Sequence, residues 1–231
     1  VVVRWMADAP LAIVVPVLNE AGSLPEFLDQ LQAWRQAGCE LVLVDGGSTD
    51  GSGSLAESRV DQLLRSKPGR ARQMNTGAAA TGAAHLLFLH CDTRLAISPQ
   101  TLLSALADKP GWGFFRVRLS GRDWRLRVIE SAMNLRSSLT RVATGDQCLF
   151  VDRRLWAELG GFADIPLMED IELCKRLRRC APPAVLSPPV TTSSRRWEER
   201  GVVATVLHMW YLRLAFWLGV APEKLVRSYY G

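Results

Sequence analysis

Polar residues that could do chemistry sit at the ends of apolar runs in this chain. Pro16-x-x-Asn19-Glu20 closes the run from Leu11 to Val17, and Asp45-Gly46-Gly47-Ser48-Thr49-Asp50 closes the run from Glu40 to Val44. A third run, Leu86 to Leu89, ends in His90-Cys91-Asp92. Carboxylates that converge on one edge suit a hard divalent cation, which keeps several waters and bridges substrate phosphate oxygens. Arg70, Arg72, Arg195 and Arg196 are candidate phosphate contacts, because guanidinium pairs bidentately with phosphate. Glu169-Asp170 opens a helical pattern behind Gly160-Gly161-Phe162 and Pro166-Leu167-Met168, a turn able to bring that helix start to the same place. Taken singly, each residue has an ordinary structural use. Acids at a helix start, for instance, stabilise the helix by about 0.3–1 kcal/mol. Together they point to a nucleotide-binding enzyme.

The elements that must position these residues read as βαβ units. Short apolar strands alternate with helical patterns through the first half, which argues for a parallel sheet. In such sheets ligands bind outside the carboxyl ends of the strands. Ser23-Leu24-Pro25-Glu26 is a capping-box start for a helix that stops near Gly38. A short helix follows the Gly/Ser-rich loop after Asp45, then a strand from Val60 to Leu64. A helix is expected from Arg70 to Ala84, weakened by Gly77 and Gly82. Further on, Gly113 to Leu119 alternates like a strand, Asp123 to Leu139 reads as a basic helix, and Gln147 to Val151 as a strand. Met168 to Arg179 is a helix that Ala181-Pro182-Pro183 ends, and Ser187 to Arg196 is loop or edge strand.

Composition bounds the answer. With 231 residues, 48% apolar and 22% charged, the chain is globular and has an ample core. Its net charge of +5 fits an anionic ligand, a membrane surface or simple solubility. The five cysteines are scattered, with no C-x-x-C pair, against both a disulfide framework and a zinc site. A reduced, cytoplasmic setting is the expectation, and most of the cysteines read as small core residues. Residues 1–10 lack the features of a signal peptide and read as a disordered extension.

Other enzyme classes fit less well. The glycine fingerprint G-x-G-x-x-G is missing after the first strand, so NAD and S-adenosylmethionine lose their main support, although Asp45 could hold a ribose. A nucleotidyltransferase would want a glycine/arginine-rich phosphate loop there. A non-catalytic nucleotide-binding protein is the alternative outside catalysis.

The stretch from Val202 to Ala221 is unusually apolar and carries Trp210, Tyr211, Phe216 and Trp217. Arg213 near its centre is expensive in a bilayer. Three readings stand: a helix packed on the rest of the chain, an element lying in a membrane interface, or a homodimer contact.

In order, the chain carries P-x-x-N-E, V-D-G-G-S-x-D-G, G-R-A-x-Q-M-N-x-G, F-L-H-x-D-T, G-D-Q, G-G-F, M-E-D and R-R-W. With these eight motifs, residues 11–197 resemble the family 2 glycosyltransferases, most closely a bacterial subgroup. The resemblance implies the GT-A fold, a Rossmann-like α/β three-layer sandwich with a mostly parallel central sheet. Residues 198–231 would then form a C-terminal apolar helical extension. It implies an inverting transfer from a nucleoside-diphosphate sugar to an acceptor hydroxyl, assisted by Mg²⁺ or Mn²⁺. Pro16, Asn19 and Glu20 would border the nucleotide base and ribose, Asp45 would bind the base, Gly47 would belong to the donor site, and Arg70, Arg72 and Asn75 would help hold the base and phosphates. Asp92 matches the last acid of the family's D-x-D metal motif, and Asp170 of the Glu169-Asp170 pair matches the general base. Arg196 and Trp197 resemble the end of the family's R-W motif near acceptor and leaving group, and Gly145, Asp146 and Gln147 would line the acceptor side. The acceptor is open, a lipid-linked one included; no nucleic-acid partner is expected. The chain is expected to be cytoplasmic, with a peripheral station at the inner membrane face as one option.

Three departures stand out. His90 replaces the first acid of D-x-D, as a neutral ligand, a phosphate donor or a packing residue. Gly46 stands where a second acid is common, and neither Thr192 nor Ser193 supplies the leading Gln or Arg of the R-W motif.

Overall fold

The computed structural model describes residues 9–108 and 110–230. Its spine is an eight-stranded sheet made of β1 (Leu11–Val17), β2 (Glu40–Asp45), β3 (Gln62–Arg65), β4 (His85–Phe88), β5 (Thr93–Arg94), β6 (Trp112–Leu119), β7 (Phe150–Asp152) and β8 (Ala184–Thr192). The order across the sheet is β3-β2-β1-β4-β7-β6-β8-β5. Strands β1 to β4 run parallel, β7 is antiparallel to both β4 and β6, β8 is parallel to β6, and β5 is antiparallel to β8.

Strand alternation makes two cores, one on each face. Leu11, Ile13 and Val15 of β1 face one core with Leu41 and Leu43, while Ala12 and Val14 face the other with Val42 and Val44. Both faces of β1 are buried, as expected of a strand covered by helices on either side. Helices α1 (Leu24–Gln36), α2 (Ser52–Ala56) and α4 (Pro99–Ala107) cover the first face. The second is covered by α3 (Arg70–Ala79), α7 (Glu169–Cys180), α9 (Val202–Trp217) and α10 (Pro222–Tyr230). Helix α5 (Trp124–Thr140) closes a smaller core with β6, and α6 (Arg153–Glu158) and α8 (Arg195–Arg200) are short connectors. The result is a three-layer α/β sandwich.

Several sequence expectations shift. Ser23 does not cap α1: its side chain donates to Glu20 Oε2 at 2.9 Å, and no capping box forms. Helix α3 ends at Ala79, before Gly82, and Gly77 within it is a close-packing residue. A Cβ there would lie 2.5 Å from Val14 Cγ1, so α3 sits against β1 as only glycine allows. The strand expected from Gln147 to Val151 is two elements, a 3-10 turn at Gly145–Gln147 and then β7; Cys148 between them has φ +48°. The expected strand from Val60 is β3, which begins two residues later at Gln62. Strand β5 and helices α4, α6 and α8 are additional elements, and α10 lies within the expected C-terminal helical extension. Of the extension expected over 1–10, residues 1–8 lie outside the described residues. Ala9 and Pro10 are instead tied in, accepting from the backbone N–H groups of Ala84 and His85.

Candidate active site

The carboxyl ends of β1 and β4 open into a cleft of about 610 Å³, within the range of small-molecule sites. Its lining includes Pro16 and Val17 at the end of β1 with Glu20 beyond it, Gly69, Arg70 and Gln73 at the start of α3, and His90, Cys91 and Asp92 after β4. Gly145 and Asp146 enter from the 3-10 turn, Asp170 from the first turn of α7, and Arg195, Arg196 and Trp197 from α8. Pairing of β5 with β8, Thr93 opposite Thr192, draws the start of α8 toward the loop of Asp92. Thr205, Met209 and Arg213 of α9 complete the wall with Tyr229 of α10. The apolar C-terminal stretch therefore packs on the rest of the chain and takes part in the cleft.

The loops after β1 and β2 brace each other. Ser48 Oγ accepts from Asn19 N at 2.9 Å, and Asn19 Oδ1 accepts from Thr49 N at 2.9 Å. Asp45 Oδ1 accepts from Ser48 N and Oγ and from Gly47 N. Asp50 Oδ2 accepts from Ala21 N at 2.8 Å, and Asp50's carboxyl is held below the usual range, first by Ser52's hydroxyl. Gln73, the glutamine of G-R-A-x-Q-M-N-x-G, donates to Val17 O at 2.7 Å and Val44 O at 2.9 Å, joining the two strand ends. Thus Asn19, Asp45 and Gly47 shape the rim, and none of them lines the cleft.

The metal-motif region is more concentrated. Asp92 and Asp146 both reach cleft solvent, and His90 is half-buried between protein groups. A Cβ on Gly145 would meet His90 Nε2 at 2.5 Å, so the imidazole packs against that glycine. Enclosure by the cleft walls, then the Arg70 charge, pushes His90 below the ordinary imidazole value; its neutral form is favoured. Enclosure and the Asp92 charge push Asp146 above the ordinary carboxylate range. Among the described residues, no three His, Cys, Asp or Glu groups gather as a closed metal cage. Mg²⁺ and Mn²⁺ do not need one, since they bind through one or two carboxylates plus substrate phosphates. Asp92, an exposed carboxylate at the cleft, fits such an ion with substrate phosphates completing the oxygen donors.

Asp170 is held by two N–H groups: Gly145 N donates to Oδ2 and Ile171 N to Oδ1, each at 2.7 Å. These bonds aim the carboxylate at the cleft. Met168, just ahead of α7, has φ +69°, a cost that recurs at sites where geometry matters. Glu169 points the other way. It is buried, its Oε1 lies 3.0 Å from Arg70 Nε, and burial raises its carboxyl against the pull of Arg70. Glu169 thus positions Arg70 rather than facing the cleft.

Other expected residues are elsewhere. Arg72 pairs with Asp164 on the surface at 2.7 Å. Asn75 exchanges bonds with the backbone of Phe162, tying α3 to the Gly160-Gly161-Phe162 turn. Gln147 is fully buried and donates to Ser137 Oγ at 2.9 Å, so it supports the 3-10 turn from behind. Arg196 hydrogen-bonds the Tyr229 hydroxyl and stacks 4.3 Å from that ring's centre. Arg213 and Arg136 were not among the sequence candidates. Both are half-buried, and both feel the charges of Asp170 and Asp146.

A parallel half-sheet feeding a polar cleft, joined to a mixed half-sheet through β7, is the GT-A fold of glycosyltransferases. It superposes on the mannosyltransferase PcManGT of Pyrobaculum calidifontis, solved with GDP-Man and Mn²⁺, with TM-score 0.62 and 22% identity over 89% of this chain and 61% of that one. Against S. aureus TarS 1-349 with UDP-GlcNAc the TM-score is 0.61 at 18% identity, covering 79% and 58%. Glucosyl-3-phosphoglycerate synthase of Mycobacterium tuberculosis, solved with Mn²⁺, UDP and phosphoglyceric acid, gives 0.55 at 20% identity, covering 80% and 68%.

Within this fold, residues 12–111 match the family described as Glycosyl transferase family 2. The chain is 35% identical over 97 residues to the PGL/p-HBAD biosynthesis glycosyltransferases of Mycobacterium bovis and Mycobacterium tuberculosis. That stretch covers 39% of this chain, which spans about two-fifths (38%) of those relatives.

Proposed function

We propose that this chain is an inverting glycosyltransferase that moves a sugar from a nucleoside-diphosphate sugar to an acceptor hydroxyl. The observation that carries the reading is the meeting of Asp170, Asp92, Asp146 and Arg70 in one cleft at the carboxyl edge of the sheet. Nucleotide sugars bound by the solved neighbours, GDP-Man in one and UDP-GlcNAc in another, support the donor class and leave its base open.

In this reading the diphosphate lies over Gly69 and Arg70, at the N-terminus of α3, where free backbone N–H groups favour anions. Pro16 and Glu20 border the nucleoside. Asp92, with His90 beside it in the motif, would hold Mg²⁺ or Mn²⁺ together with the donor's phosphates. When bound, that ion supplies charge stabilisation to the departing diphosphate. Asp170 accepts the proton of the acceptor hydroxyl as its oxygen bonds to the anomeric carbon. The bond from that carbon to the diphosphate oxygen breaks, and its electron pair leaves with the diphosphate. Attack comes from the opposite face, so the anomeric configuration inverts. Arg70 and Arg196 are the protein's own cations for the leaving group, while Gly145, Asp146 and Trp197 border the acceptor.

No described helix is long and apolar enough to cross a membrane. The exposed apolar row on α9 supports a peripheral, inner-face station for the protein, with an acceptor that is lipid-linked or delivered there.

Isothermal titration with UDP, GDP, CDP and ADP, with and without Mn²⁺, tests the donor half. One diphosphate should bind, more tightly with Mn²⁺, and Asp92→Ala should remove the metal's contribution. Failure of all four to bind sinks the reading.

A further inference from the structure

Four arginines, Arg70, Arg195, Arg196 and Arg213, line the cleft among the described residues. Arg70 pairs with Glu169, and Arg196 sits against Tyr229. Arg213 is different. It comes from α9, lines the cleft with Met209 and Thr205, and has no ion pair or hydrogen bond among the described residues. Behind the 3-10 turn that carries Asp146, Arg136 of α5 reaches toward the same region. Its Nη2 is 3.5 Å from Gln147 Oε1, and its Nε is buried without a hydrogen-bond partner.

The two guanidiniums repel each other. Burial, together with the Arg213 charge, lowers Arg136 to about 10. Half-buried cations so arranged are costly unless an anion joins them. The acids both arginines feel are Asp170 and Asp146, whereas Arg70 acts on Asp146, His90 and Glu169. Arg213 enters the cleft from α9 and Arg136 stands behind the 3-10 turn that carries Asp146, whereas Arg70 enters from the start of α3.

We propose that Arg213, backed by Arg136, is an anion subsite on the acceptor side of the cleft, so that the acceptor carries a phosphate or carboxylate group. The assignment rests on the transferase reading for the word acceptor; the anion subsite itself does not. Planar guanidinium donors match either oxyanion, and a lysine would serve only as a point charge.

The test is titration of inorganic phosphate and phenyl phosphate into the full chain, with and without saturating nucleoside diphosphate and Mn²⁺. Phosphate should bind alongside the nucleotide. Arg213→Gln should weaken it by about tenfold or more and leave nucleotide affinity unchanged. Arg136→Gln should weaken it less, and Arg213→Lys should restore it in part. Phosphate that competes with the nucleotide would return Arg213 to the donor site and overturn the proposal. So would phosphate affinity indifferent to Arg213→Gln. If that variant does not fold, Arg213→Lys decides, since an anion subsite requires it to bind phosphate more weakly than the parent chain. Nucleotide binding that fails while Arg213-dependent phosphate binding persists would remove the transferase reading and leave the subsite. Vesicles of phosphatidylcholine with or without phosphatidic acid separate the sources. Arg213-dependent binding to phosphatidic acid alone assigns a lipid headgroup, and binding of phenyl phosphate alone assigns a soluble ester.

Discussion

At the scale of single residues, the cleft divides its acids by what holds them. Asp45 spends one oxygen on three donors of its own loop, whereas Asp170 accepts from Gly145 and Ile171 and still lines the cleft. A sugar hydroxyl is a poor nucleophile at neutral pH, so loss of a carboxylate base should cost about 10²–10⁴-fold in rate. Asp170→Asn keeps the shape and one acceptor oxygen. It should lower turnover by that factor while nucleoside diphosphate still binds, as measured by initial rates and titration on the same protein. Near-normal turnover would take the base role from Asp170. Asp92 and Asp170 were legible in the sequence because Asp92 closes an apolar run and Asp170 opens a helical pattern, each within a motif. Arg213 was not, and neither was the bonding role of Gln73 within its motif, because both depend on contacts made far along the chain. Arg213 in particular reads as an expensive charge in an apolar helix until the fold turns it toward the cleft.

At the scale of elements, the strands were legible and the short connectors were not. Leu11–Val17 and Glu40–Asp45 are continuous apolar runs because both faces are covered, a pattern visible without coordinates. Strand β5 has two residues and exists only because β8 returns beside it. Gly77 illustrates a misjudged signal. Glycine weakens an isolated helix, yet here it lets α3 approach Val14 and Val44 and so sets where Arg70 and Gln73 stand. Gly77→Ala adds a methyl where Val14 Cγ1 would be 2.5 Å away. Overpacking of this kind costs about 1–3 kcal/mol, more than the gain in helix propensity. Gly22→Ala, with no atom within 4 Å of the new Cβ, is the control and should change little. Thermal unfolding of the two variants decides the point: equal midpoints would remove the close-packing account.

At the scale of the whole molecule, α9 works on both of its sides. Its inner side buries Thr205, Leu212 and Ala215, and lends Met209 and Arg213 to the cleft. Val203, Leu207, Trp210, Tyr211, Leu214, Trp217 and Leu218 are all exposed and recur at helical spacing along the other side. Helix α5 adds exposed Trp124, Val128, Leu135 and Leu139. An exposed apolar row of this length on α9 marks an interaction face, and indole rings suit the boundary between lipid headgroups and chains. Exposed arginines 122, 125 and 141 lie at the ends of α5, and the net charge is +5, a balance that favours an anionic surface. The chain should therefore sediment with vesicles containing phosphatidylglycerol, and less with pure phosphatidylcholine. Replacing Trp210, Leu214 and Trp217 together by serine should weaken that binding by about tenfold or more, since each large side chain gains about 1.5–3 kcal/mol when fully buried. Those positions line no part of the cleft, so nucleoside diphosphate affinity should survive. A dimer that dissociates in the triple variant, with no vesicle binding in the parent chain, would assign the face to a second copy instead.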